Sequence, residues 1–397
     1  MDSNLANYRR RGQFATRRGI AQARFNEHKS CKSNIRIDWR VPMSTQAASM
    51  QLDDFDVLID WEKLKIWLST TEELKSVSIN SVSKLDGGLQ NNVFLIKTDG
   101  QDIILRRPGK HLKPKSNETI LREARVLRAL SGSAVPHPSV LATCDDETVI
   151  GACFYLMEPL EGFAKSGDLP GDYATDANWR RAMGEELVRA AAALADVDHV
   201  SVGLADLGKP ENWHERQVAR WRSQLEGYAA TPGYDPGELP HTDAVGCWLT
   251  DNLPSDRQIG LVHGDLQFPN VMFSLKAPII SGVLDWELVS LGDPLLDLGW
   301  ILSSWYEDGD PDGKSPMVKP WDGFLTRREL VEQYCQLRGR DATQVPWFFA
   351  LACYKLACLL EGTYAASKAG KVPAKVGDSV HAYATWLMNK AQQIVAA

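Results

Sequence analysis

Two short polar motifs set in apolar sequence restrict this chain more than any other feature. They are His263-Gly264-Asp265-Leu266-Gln267-Phe268-Pro269-Asn270 and Val283-Leu284-Asp285-Trp286-Glu287. A tight loop can bring Asp265 and Asn270 together, and Pro269 helps to fix its path. Asp285 follows the apolar run Gly282-Val283-Leu284, which predicts a short buried strand that aims its carboxylate into a cleft. Two carboxylates and one amide in this pattern suit phosphoryl transfer. That transition state is loose and anionic, so catalysis is mostly positioning and charge neutralisation. One carboxylate must orient an acceptor hydroxyl and take its proton, the role read for Asp265. A second carboxylate and an amide oxygen must hold Mg²⁺ against the β- and γ-phosphates of ATP, the role read for Asp285 and Asn270. The Asp-to-Asn spacing alone is common by chance. The His-Gly-Asp before it, and the apolar-Asp-Trp-Glu after a hairpin-sized gap, make the reading specific. The bland alternative has Asp265 capping a turn and Asp285 capping a helix.

Upstream, the hydrophobic period changes. Ile59, Leu64, Trp67 and Leu68 have helical spacing and predict a helix over 60–69. Strand-like runs follow over 76–85, 93–98 and 102–106, with Asp99-Gly100 as a hairpin signal between the last two. A helix over 117–130 and strands at 140–141 and 154–157 complete an α+β lobe. After Pro159-Leu160-Glu161-Gly162 the pattern is mainly helical, over 179–197, 215–228 and 295–305. The exception is a strand-rich insert over 259–286 that carries the motifs. The expected organisation is a basic extension over 1–50, a first lobe over 53–158, and a helical lobe over 159–397 with the catalytic loop.

The extension carries ten Lys and Arg up to residue 42, against Asp2, Glu27 and Asp38, and shows no hydrophobic period. Disorder is expected there. Three readings stay open: an Arg-rich targeting peptide, a binder of nucleic acid or acidic surfaces, or sequence upstream of a true start at Met43. The net charge of −7 makes nucleic acid a poor partner for the folded part. Seven Cys, with no CxxC pair, argue against zinc and against a disulfide scaffold. Free thiols fit a reducing, cytoplasmic setting, with organelle targeting by the extension as the alternative. The most apolar stretch, 347–360, is interrupted by Lys355 and reads as a buried helix rather than a membrane span, and the N-terminus lacks the apolar region of a secretory signal. No membrane partner is expected, and the sequence does not reveal the oligomeric state. Most of the thirteen Trp are expected in the core, with some left to line a pocket.

Further motifs run in order along the chain. They are Leu105-Arg106-Arg107-Pro108, Arg122-Glu123-Ala124-Arg125-Val126-Leu127, Phe154-Tyr155-Leu156-Met157-Glu158, Leu291-Gly292-Asp293-Pro294 and Tyr354-Lys355-Leu356-Ala357. With the two motifs above, they resemble the aminoglycoside phosphotransferase and choline kinase superfamily, relatives of the protein kinases. Within it, the chain is most similar to the branch also found fused to acyl-CoA dehydrogenases. The resemblance covers about 76–386. It implies a protein-kinase-like two-lobed α+β fold, with an antiparallel-sheet N-lobe, a mainly helical C-lobe and the active-site cleft between them. The chain lacks His-Arg-Asp, Asp-Phe-Gly and Ala-Pro-Glu, which disfavours a protein kinase.

The resemblance also implies roles. Gly87 and Gly88, with Asn91 and Asn92, look like the loop that folds over the ATP phosphates. Arg106 stands where most kinases carry a strand Lys, and its partner would be Glu123. Strand alternation lets only one of Arg106 and Arg107 face the cleft, and Arg106 is the choice. Backbone near Glu158 and Leu160 would face adenine at the hinge. His263 resembles the structural His of the loop. Asp293 reads as a turn or helix cap, and Asp297 as a partner of the loop backbone. The acceptor implied is a small-molecule hydroxyl, since some members of the branch resemble kinases of hydroxyacyl-CoA thioesters. Arg216 and Arg220, one helical turn apart, could meet CoA phosphates, or could simply lie on a solvated helix with Trp221 in the core. An aminoglycoside acceptor, and a nucleotide-binding module without catalysis, are the alternatives.

Overall fold

The computed structural model describes residues 59–85, 91–110, 112–164, 167–310 and 317–397. The basic extension over 1–50, Gly87 and Gly88 lie outside the described residues. The first helix starts at Asp60, whose carboxylate accepts the Lys63 N–H at 3.1 Å and caps α1 (Trp61–Thr70). Strands β1 (Ile79–Leu85), β2 (Asn91–Thr98), β3 (Ile103–Pro108), β4 (Val140–Cys144) and β5 (Phe154–Met157) follow, with α2 (Ser116–Ala129) inserted after β3. They form one antiparallel sheet in the order β1-β2-β3-β5-β4. The β2–β3 turn is wider than a two-residue hairpin, because Ile96 pairs with Ile103. Local side chains hold it open. The Thr98 hydroxyl takes the Gly100 N–H at 3.1 Å and donates to the Gln101 carbonyl at 2.7 Å.

The two sheet faces do different things. Leu64 and Leu68 of α1 pack with Phe94, Ile96, Ile103, Leu105, Phe154 and Leu156 in one apolar layer. Alternation sends Tyr155 and Arg106 to the other face, toward α2. There Ile120, Ala124 and Leu127 join the core that runs on into the helical part.

That part begins with the short β6 (Gly167–Asp168) and α3 (Asp172–Thr175) and continues with α4 (Ala177–Ala195), α5 (Trp213–Gly227) and α6 (Thr242–Asp251). The insert supplies β7 (Gly260–Val262), β8 (Val271–Phe273), β9 (Ile280–Val283) and β10 (Ser290–Gly292); β8 pairs with β9, and β7 with β10, all antiparallel. Then come α7 (Leu295–Ser304), β11 (Val318–Lys319), which pairs with β6, α8 (Arg327–Arg338), α9 (Val345–Lys368) and α10 (Ala374–Ala396). Helix α9 is the axis of this half and packs against α5, α7 and α10. It is long and apolar enough to cross a bilayer, but most of it is buried inside the protein. Gly299 lets α7 close on it, since a Cβ there would stand 2.4 Å from the Phe348 carbonyl oxygen.

Candidate active site

The first motif forms the loop between β7 and β8. Gly264 adopts φ 84°, a left-handed conformation that side chains other than Gly disfavour. Its neighbours hold that turn. The buried Asp297 carboxylate, on α7, accepts the His263 N–H at 2.7 Å and the Gly264 N–H at 2.8 Å. His263 places Nε2 2.9 Å from the Leu284 carbonyl, and its Nδ1 lies 3.3 Å from the Asp265 N–H. Burial pushes its imidazole down to about 4, so it is neutral at pH 7 and ties the loop to the end of β9.

This scaffold presents Asp265. Its Oδ1 accepts the Trp300 indole N–H at 2.7 Å and the Gln267 amide at 2.6 Å. Its Oδ2 accepts the Asn270 Nδ2 at 2.6 Å, and the same Nδ2 lies 2.8 Å from the Asp265 carbonyl. Burial raises the carboxyl to about 6, although the Trp300 and Asn270 bonds favour the anion. The Asn270 amide nitrogen is thus committed to Asp265, which leaves its Oδ1 as the free end of the amide. The backbone carbonyl of Asn270 accepts the Leu284 N–H at 2.8 Å, so the two motifs are directly bonded.

Asp285 follows with φ 62° and ψ 66°, also left-handed. Asp tolerates this region better than most residues, and such conformations gather at functional sites. Its carboxylate accepts Arg106 Nη2 at 2.8 Å and is 39 % exposed. Arg106 also grips Glu123, through Nε at 2.8 Å and Nη2 at 3.2 Å. Glu123 is fully buried, and its Oε2 takes the Tyr155 hydroxyl at 3.2 Å. Arg106 therefore meets Glu123, the partner the resemblance implied, and also Asp285, a contact not read from the sequence. Arg107 lies on the other sheet face, buried, with Nη1 2.9 Å from the Ile150 carbonyl.

The remaining expected residues are placed as follows. Asn91, at the start of β2, donates to Glu287 at 3.2 Å across the cleft. Asn92 pairs with Arg107 in the strand register, so alternation turns it away from Asn91. At the hinge, the Glu158 N–H bonds the Ser139 carbonyl at 2.9 Å. Leu160 packs over Gly282, where a Cβ would stand 2.4 Å from its Cδ1. Asp293 accepts the Leu295 N–H at 3.1 Å, as a cap should, but is also fully buried against Arg340 and His214. On α5, Trp221 is in the core and Arg216 is tied back to the Asn212 carbonyl at 3.3 Å.

Sequence reasoning missed three participants. Glu287 forms an acidic cluster with Glu123 and Asp285, one oxygen of each lying within 4.8 Å of the others. Burial, then Asp285 and Glu123, push its carboxyl up to about 7. The Glu of the Asp-Trp-Glu motif was the available signal. Trp300 and Lys355 carried no local signal of a place beside the loop, because contact with Asp265 and Gly264 depends on how α7 and α9 pack.

Comparison with known proteins bears on the fold and the family. A protein from Ralstonia eutropha classed with the aminoglycoside phosphotransferases has a solved structure 30 % identical to this chain, with a TM-score of 0.69; the match covers 84 % of this chain and 98 % of that one. The GDP complex of wild-type aminoglycoside 2'-phosphotransferase-IIIa shares the fold, at TM-score 0.54 and 16 % identity over 81 % of this chain and 98 % of that one. Acyl-CoA dehydrogenase family member 11 of Rattus norvegicus is 32 % identical over 72 % of this chain. The chain spans only 36 % of the length of that relative, as expected of a phosphotransferase domain that also occurs joined to a dehydrogenase. Residues 81–341 match the phosphotransferase enzyme family, and with a protein-kinase-like fold and a loop built around Asp265, the chain belongs to that family.

Proposed function

We propose that the chain transfers the γ-phosphoryl group of ATP to a hydroxyl of a small molecule. One observation carries this reading: Asp265 is half-buried and held on both oxygens by donors, in a loop that also carries Asn270 and is bonded to the strand before Asp285. Asp265 orients the acceptor hydroxyl and takes its proton. The acceptor oxygen bonds to the γ-phosphorus as the bond to the bridging oxygen breaks, and ADP leaves with that electron pair. Arg106, fixed by Glu123, directs its fork toward the phosphates. The donor set fits a Mg²⁺ ion, with the free Oδ1 of Asn270 and the partly exposed Asp285 carboxylate as its protein ligands. Such an ion would neutralise phosphate charge.

For the acceptor, a hydroxyacyl-CoA-type metabolite is favoured by the relatives joined to acyl-CoA dehydrogenases. An aminoglycoside is the second reading, because the Ralstonia eutropha structure bears that class name. The test is ATP consumption by the purified chain with Mg²⁺, against hydroxyacyl-CoA thioesters, aminoglycosides and choline-like alcohols, with Asp265→Asn as control. The expected outcome is turnover with a hydroxyacyl-CoA that the variant lacks. Turnover with aminoglycosides alone would shift the substrate class. ATP binding with equal turnover by both proteins would remove Asp265 from the mechanism.

A further inference from the structure

Helix α9 is apolar along most of its length, yet Lys355 lies in its middle and is only 8 % exposed. Burying an ammonium is costly unless it is well partnered. Lys355 has three donors to place. Among the described residues its one hydrogen-bond acceptor is the Gly264 carbonyl, at 3.4 Å. It also faces two rings, Trp300 at 4.6 Å and Trp221 at 5.4 Å, and it feels the charges of Asp265, Asp297 and Arg220. Burial pulls its pKa down to about 8, against the opposing charges of Asp297 and Asp265, so it stays charged at pH 7. A core helix that needed only bulk here would be served better by Met or Leu.

What the ammonium touches suggests a use. Trp300 receives it on the ring face and donates its Nε1–H to Asp265 at 2.7 Å. A cation on an indole face withdraws electron density from the ring and makes its N–H a stronger donor. The same ammonium holds the carbonyl side of Gly264, while Asp297 holds the N–H side. Gly264 immediately precedes Asp265.

We propose that Lys355, acting through Trp300 and the Gly264 carbonyl, is a positioning residue for phosphoryl transfer, fixing the direction in which Asp265 meets the acceptor. The inference rests on the role given to Asp265 above. Lys355 does not touch the reacting groups, so its loss should lower turnover without weakening nucleotide binding.

The test uses the full chain, MgATP as donor and water as acceptor, and compares wild type, Lys355→Met, Trp300→Phe, the double variant and Asp265→Asn. The expected result is a fall in kcat of about tenfold in each single variant, with KM for ATP unchanged. The double variant should lose less than the product of the two single losses, because part of the Lys355 effect passes through the Trp300 bond to Asp265. Should Lys355→Met fail to fold, Trp300→Phe, which keeps an aromatic ring and deletes the N–H, decides alone. Wild-type kcat in the folded variants, or losses that simply multiply in the double variant, would overturn the proposal. If Asp265→Asn is inactive at the same time, the phosphotransfer reading survives; if Asp265→Asn matches wild type, both fall together.

Discussion

Arg106 shows how one side chain joins two jobs. It neutralises the fully buried Glu123 and reaches Asp285 with the same guanidinium. Arg106→Ala would strand a buried carboxylate, so a loss of about 3–5 kcal/mol is expected in denaturant unfolding, together with a large loss of ATP use. Arg106→Lys keeps the charge but not the fork, so a modest loss of ATP use is expected in the same kinetic assay. Asp265 makes a pH prediction. Only the anion can accept a proton, and its pKa of about 6 lies above the ordinary carboxylate value. Turnover should therefore fall as pH drops through about 6, whereas an unperturbed Asp would stay active to about pH 4. A rate profile across the mildly acidic to neutral range reads the difference.

At the scale of elements, the site depends on a few close approaches. Helix α7 delivers Asp297 and Trp300 to the loop, one turn apart on one face, and α9 delivers Lys355 from behind. The two helices meet where Gly299 faces the Phe348 carbonyl. Backbone on both sides leaves no flexible atom to move, so Gly299→Ala must push the helices apart. A loss of about 2 kcal/mol is expected in thermal or denaturant unfolding, with reduced turnover because Trp300 moves with α7. Unchanged stability would mean that the helices cross less tightly than this contact requires. The buried Arg340–Asp293 pair anchors the start of the same helix, at 3.0 Å.

At the scale of the molecule, ligand and stability are coupled. A nucleotide that binds only the folded chain raises its melting temperature by mass action. Saturating MgATP should do so for wild type, and Asp285→Ala should abolish the magnesium-dependent part of the shift, as scanning fluorimetry with and without chelator would reveal. The same scale separates what each level of description decided. Local chemistry alone determined much of the fold: the helix over 60–69, the strand alternation that sends Arg106 and Arg107 to opposite faces, and the spacing of Asp265, Asn270 and Asp285. These depend on neighbours in the chain, so they are written in short windows of sequence. The β2–β3 hairpin likewise forms where Asp99-Gly100 signals it, with the Thr98 hydroxyl bonding within the turn. Tertiary packing alone decided that Glu287 would face Asn91, that Trp300 would donate to Asp265, and that a lysine in an apolar helix would lie behind the loop that carries Asp265. Those contacts join residues far apart in the chain, and no sequence period encodes the crossing of two helices or the closing of a cleft.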